Sequence, residues 1–114
     1  MKKIGRLRVY NNNDLIIEDN QLEYEFDNDL LAYTDEFGQH SIDLEESIYK
    51  KESSDNNMII DFINNNCYFE LINEKEELSF AIDCSIKKEN NKIIYIYSFD
   101  KDDIKKIEID LEIS

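Results

Sequence analysis

Leu22, Tyr24 and Phe26 alternate with Glu23, Glu25 and Asp27, and Ile107, Ile109, Leu111 and Ile113 alternate with Glu108, Asp110 and Glu112. Successive side chains of a β-strand point to opposite faces, so this rhythm buries one face and wets the other. The same period runs through Leu78, Phe80, Ile82, Cys84 and Ile86. It returns in Ile93, Tyr95, Tyr97 and Phe99, where Ile94 and Ile96 make both faces apolar. Weaker strands are expected over about 3–10, 14–18, 30–34, 41–49, 57–63 and 67–72. No run of ten or more residues keeps a helical stripe, and one short turn near Leu44–Lys51 is the only helix expected.

Proline is absent and glycine occurs twice, so the turns need other residues. Asn11-Asn12-Asn13, Asp27-Asn28-Asp29, Asn64-Asn65-Asn66, Glu89-Asn90-Asn91 and Asp100-Lys101-Asp102-Asp103 stand between the strands. Asn and Asp tolerate positive φ and bond their own backbone, so they can replace glycine there. Gly38 is expected at a hairpin tip, and residues 50–57 as the longest loop. Short connections make neighbouring strands antiparallel. The expectation is one all-β domain over 1–114, an antiparallel meander of nine or ten short strands. So long a meander is expected to curl, as a bent sheet or an up-and-down barrel.

Twenty-seven Asp and Glu against thirteen Lys and Arg give a net charge of −14 at pH 7. Such a potential repels nucleic-acid phosphates and anionic membrane and steers basic partners inward. Direct nucleic-acid or membrane binding is therefore not expected, and a basic protein partner is. The plainer reading is that the charge keeps a small β-protein soluble. Some of these carboxylates point the same way along a strand, Glu23, Glu25 and Asp27 on one and Glu108, Asp110 and Glu112 on another. Like charges in a row destabilise a sheet unless cations lie opposite, and Lys87, Lys88, Lys105 and Lys106 could relieve only part of them. These six carboxylates form the candidate partner-binding surface, with Tyr10, Tyr33, Tyr49 or Tyr68 as its aromatic anchor.

No catalytic apparatus is visible. Phosphate-loop and dinucleotide motifs need more glycines than the chain has. The one histidine, His40, lies beside Ser41, and adjacent strand side chains face apart. It is read as an ordinary exposed histidine. Cys67 and Cys84 sit inside apolar alternations and are read as small buried hydrophobes. Asp100, Asp102 and Asp103 lack the glycine and closing Glu of a calcium loop, and His and Cys are too few for zinc. Neither metal nor cofactor is expected. Met1–Arg8 is basic, but no apolar run of signal-peptide length follows, so a cytoplasmic location is expected. The abundance of Asn, Ile and Lys suggests an AT-rich bacterial or phage genome.

The strand Leu78–Ile86, the charged turn Lys87–Lys92, the Tyr-containing strand Ile93–Phe99 and the final strand Ile107–Ile113 resemble, in this order, the YwiB-like family of calycin-type β-barrels. Leu31-Ala32-Tyr33-Thr34-Asp35-Glu36 is similar to an early strand of that family. The basic-then-glycine strand and the proline–glycine turn of the family are missing here. The resemblance implies a calycin-like barrel that can hold an internal cavity, and it carries no catalytic residue onto this chain.

Two functions follow as expectations. The first is a small acidic, non-enzymatic binder of a basic, nucleic-acid-handling protein, of the inhibitor, immunity or counter-defence kind. The alternative is a calycin-like barrel that binds a small apolar ligand or has a structural role.

Overall fold

A computed structural model describes residues 2–100 and 102–111. In chain order the strands are β1 (Lys3–Asn11), β2 (Asp14–Asp27), β3 (Leu30–Asp35), β4 (Gly38–Asp43), β5 (Ile48–Glu52) and β6 (Asn56–Asp61). They continue as β7 (Asn66–Leu71), β8 (Glu76–Ala81), β9 (Asp83–Glu89), β10 (Lys92–Asp100) and β11 (Asp103–Asp110). The described residues contain no helix, and their strands pair antiparallel. The fold is thus the expected all-β antiparallel meander, with eleven strands instead of nine or ten.

The chain divides into two compact units, one of Met1–Tyr24 with Ile82–Ser114, the other of Glu25–Ala81. In the first, the strand order is β2–β1–β11–β10–β9. Leu7, Ile109 and Ile93 lie in one cross-strand row of its core, and Val9, Ile107, Tyr95 and Ile86 in the next. Tyr95 stacks on Tyr97 at 6.4 Å, and Phe99 meets Tyr97 edge-on at 5.5 Å. In the second unit the order is β3–β4–β5–β6–β7–β8. Leu31, Ile42, Tyr49, Ile60 and Cys67 form its central buried row. Each such side chain contributes roughly 1.5–3 kcal/mol by leaving water.

The connections use the expected chemistry. Asn12, Asn13, Asn28, Asp29, Asn65 and Asn90 all have positive φ, between 52° and 73°. Ser47 and Lys75 do the same at 57° and 53°, and of these two lysine is not a turn-forming type. Gly38 is the first residue of β4, not the hairpin tip, which is Glu36-Phe37. Its φ is 139°, and a Cβ there would lie 2.3 Å from the Glu52 carbonyl oxygen.

Four expectations are corrected. The 14–18 strand and the Leu22 stripe are one strand, β2. Residues 41–49 hold the end of β4, a turn and the start of β5, and no helix forms near Leu44–Lys51. Asp43 Oδ1 stops the strand by accepting the N–H groups of Glu45 and Glu46. Residues 50–57 are mostly strand, joined by Ser53–Asp55, because Lys50 and Lys51 are carried by ladder pairing and not by apolar character. The stripe Leu78–Ile86 breaks at buried Ile82, where pairing passes from β7 to β10, and Leu78 and Phe80 are exposed instead of core.

Candidate interaction surface

The two expected acidic rows have different fates. On β11, Glu108 and Asp110 keep only 12% and 17% of their side-chain surface exposed. Arg8 on β1 lies directly across from Glu108, and Arg6 across from Asp110. Arg8 approaches Glu108 at 3.8 Å and Asp110 at 3.9 Å, and its Nε donates to Glu18 Oε2 at 3.2 Å. Arg6 lies 3.9 Å and Lys92 3.6 Å from Asp110, and Lys106 lies 3.5 Å from Glu108. Lys106 also sits 5.5 Å over the Tyr10 ring. Hydrogen bonding to Glu18, with help from Asp110, holds the Arg8 guanidinium further above its ordinary value. This face is a mixed-charge lattice with little bare charge to offer a partner. Of the lysines expected to relieve the row, Lys106 does so; Arg6, Arg8 and Lys92 supply the rest. Glu112 lies outside the described residues.

On β2, Glu23, Glu25 and Asp27 are exposed at alternate positions, as the rhythm requires. Glu23 meets Lys2 at 3.9 Å with both side chains about two-thirds exposed, a pair worth ~0–1 kcal/mol.

The aromatic anchors also separate. Tyr33 and Tyr49 are buried and cannot lead a docking surface. They enclose His40, which is 7% exposed and not the surface histidine expected. Its ring stacks on Tyr33 at 4.6 Å, Nε2 lies 2.8 Å from Asp35 Oδ1, and Nδ1 lies 2.7 Å from the Tyr49 hydroxyl. A carboxylate only accepts, so in the neutral ring Nε2–H donates to Asp35 and the Tyr49 O–H donates to Nδ1. Burial lowers the His40 pKa against the opposing pull of Asp35, and Lys51 across the ladder adds to the lowering. Its members lie within residues 33–49 but on three strands, and only the register of the β3–β4–β5 hairpins brings them together.

Tyr10 and Tyr68 are half-buried. Tyr68 lies beside a carboxylate pair that sequence reading missed. The register of β4 to β8 aligns Gln39, Glu52, Asn57, Glu70 and Glu77 in one row across the second unit. Glu70 and Glu77 are directly opposite each other, and among the described residues neither makes an ion pair. Asn57 Nδ2 donates to Glu70 Oε1 at 3.1 Å. The Tyr68 hydroxyl donates to the Glu77 carboxylate, which, with Glu70 nearby, raises the tyrosine pKa. Glu70, Leu71, Ile72, Lys75 and Glu77 line an open groove of about 280 Å³. That is below the usual size of a small-molecule site and suits a single long side chain.

The charge itself is divided unequally. Residues 25–81 carry fifteen carboxylates and three lysines, a net of −12, leaving twelve carboxylates, ten cations and a net of −2 for the other unit.

Compared with known proteins, the chain matches no family model, no curated protein and no solved structure. The resemblance to the YwiB-like barrels therefore rests on the strands quoted above.

Proposed function

We propose that this chain is a non-enzymatic binding protein whose second unit offers its carboxylates to a basic, nucleic-acid-handling protein, as an inhibitor or an immunity or counter-defence protein does. The observation that carries the reading is the directly opposed Glu70–Glu77 pair, which takes hydrogen bonds from Asn57 and Tyr68 but makes no ion pair among the described residues, within a unit of net charge −12. Directly opposed like charges cost a sheet stability. A cation from outside would remove that cost, as Arg8 does internally on the other unit. Carboxylates set across a sheet about 4.8 Å apart per strand also approach the charge spacing of a phosphate backbone. Association would be fast and would weaken steeply with salt.

The test is capture from bacterial lysate at low and high ionic strength with identification of what is retained. Basic nucleic-acid-handling proteins should bind at low salt and be lost at high salt. They should also be lost by the Glu70→Gln, Glu77→Gln double variant and kept by Glu108→Gln. Equal retention by all three chains would refute the reading.

Binding of a small apolar ligand has its own observation, on the sheet face opposite the core rows and so outside the internal cavity a calycin barrel would use. A groove of about 380 Å³ on β9–β11 is lined by Ile96 and Ile104 beside Ser85 and Ser98. A small apolar molecule that copurifies and is displaced by Ile96→Glu would support that alternative.

A further inference from the structure

We propose that the partner docks as a strand: an extended segment with alternating basic and apolar residues adds to the open edge of β8. This rests on the acidic docking surface proposed above and says how that surface is read.

β8 ends the ladder of the second unit, is bonded along one side to β7, and has all six residues exposed. Among the described residues no strand bonds to its other side, which leaves backbone donors and acceptors for pairing. Natural edge strands block such pairing with lysine, proline or a bulge. The edge strand of the first unit follows that rule, since β9 carries Lys87 and Lys88. In contrast, β8 reads Glu-Glu-Leu-Ser-Phe-Ala, with no lysine and no proline, and its six pairs with β7 show no register shift. Its pairing carries no bulge, and its edge is apolar in part and guarded only by negative charge.

That charge selects the occupant. A second copy of this chain would bring further carboxylates to a unit already at −12. A basic strand meets the opposite sign. Glu77 and Ser79 share the face that carries Glu70 and Tyr68, while Glu76 and Leu78 share the face of Leu71 and Phe69. Directly opposed residues of paired strands place their Cβ atoms about 4.5–5.5 Å apart. A lysine or arginine opposite Glu77 would thus reach the Glu70–Glu77 pair and the adjoining groove. The next residue, on the other face, would lie against Leu78, which is 48% exposed. Main-chain bonds would give affinity and the alternation would give selectivity.

The probe is a blocked heptapeptide of alternating lysine and valine, with an alternating glutamate and valine peptide as its control. The lysine peptide should bind, the glutamate peptide should not, and saturation should slow amide exchange across Glu76–Ala81. Glu77→Gln should weaken the peptide about tenfold, and Leu78→Lys, which installs an edge lysine, at least as much. Unchanged circular dichroism confirms that both variants fold, and both replace exposed side chains. Salt-sensitive binding without protection of the β8 amides would overturn strand addition and leave the acidic-surface reading standing. No binding by the folded parent would also overturn strand addition. Failure of the acidic-surface reading is a separate result, in which Glu70→Gln, Glu77→Gln retains basic proteins as well as the parent.

Discussion

Protonating His40 would turn Nδ1 from an acceptor into a donor, and the Tyr49 hydroxyl that now donates to it would have to turn away. Burial opposes that change and places the pKa below the ordinary ~6.5 of an imidazole. Between the ordinary and the lowered value, the unfolded chain takes up a proton that the folded chain refuses. This part of the stability is complete above pH ~6.5 and is lost as the pH falls below it. Urea midpoints at constant ionic strength should show that slope in the parent and much less of it in His40→Gln. An imidazole NMR titration centred at or above the denatured value would contradict it. Tyr49→Phe should cost about 1–3 kcal/mol, because a buried acceptor loses its donor. Tyr68→Phe, at a half-buried position whose hydroxyl bonds an exposed carboxylate, should cost less.

Among the strands and turns, the local backbone sets the consequences. Lys75 adopts a φ of 53° that costs a side-chain-bearing residue roughly 1–2 kcal/mol, partly offset in Lys75→Gly by the greater freedom of the unfolded chain. A net gain of about 0.5 kcal/mol in urea denaturation is expected. Gly38→Ala should cost about 3 kcal/mol or more, since its Cβ would strike the Glu52 carbonyl. The strand rhythm was readable where the period is carried by apolar side chains, as in residues 22–27, β10 and β11, and the Asn-marked turns were readable because side-chain chemistry defines them. β5 was not, because Lys50 and Lys51 give it no apolar period and its place comes from its neighbours' bonds. Nor was the exposure of Leu78 and Phe80, since alternation shows which residues share a face without showing whether anything covers it.

For the whole chain, total charge was legible and its partition was not. Arg8 neutralises Glu108 and Asp110 from about a hundred residues away, so no local window reveals that β11 is satisfied while Glu70 and Glu77 are left facing each other. The two surfaces should respond oppositely to the same change. Glu77→Lys should stabilise by about 0.5 kcal/mol while abolishing capture of basic proteins. Glu108→Lys should lower the melting temperature by setting a cation against Arg8 and Lys106. A rise in both melting temperatures would refute this division of charge.

The β1–β11 pairing bears on the order of assembly. From Leu30 to Ala81 each strand bonds to its neighbours in sequence, so those hairpins can close one after another as the ribosome releases them. β1 is synthesised before these strands, yet it must wait for residues 103–110 to emerge before it gains its second neighbour. The part of the polypeptide with the greatest negative charge is therefore expected to take shape before β1 and β11 pair.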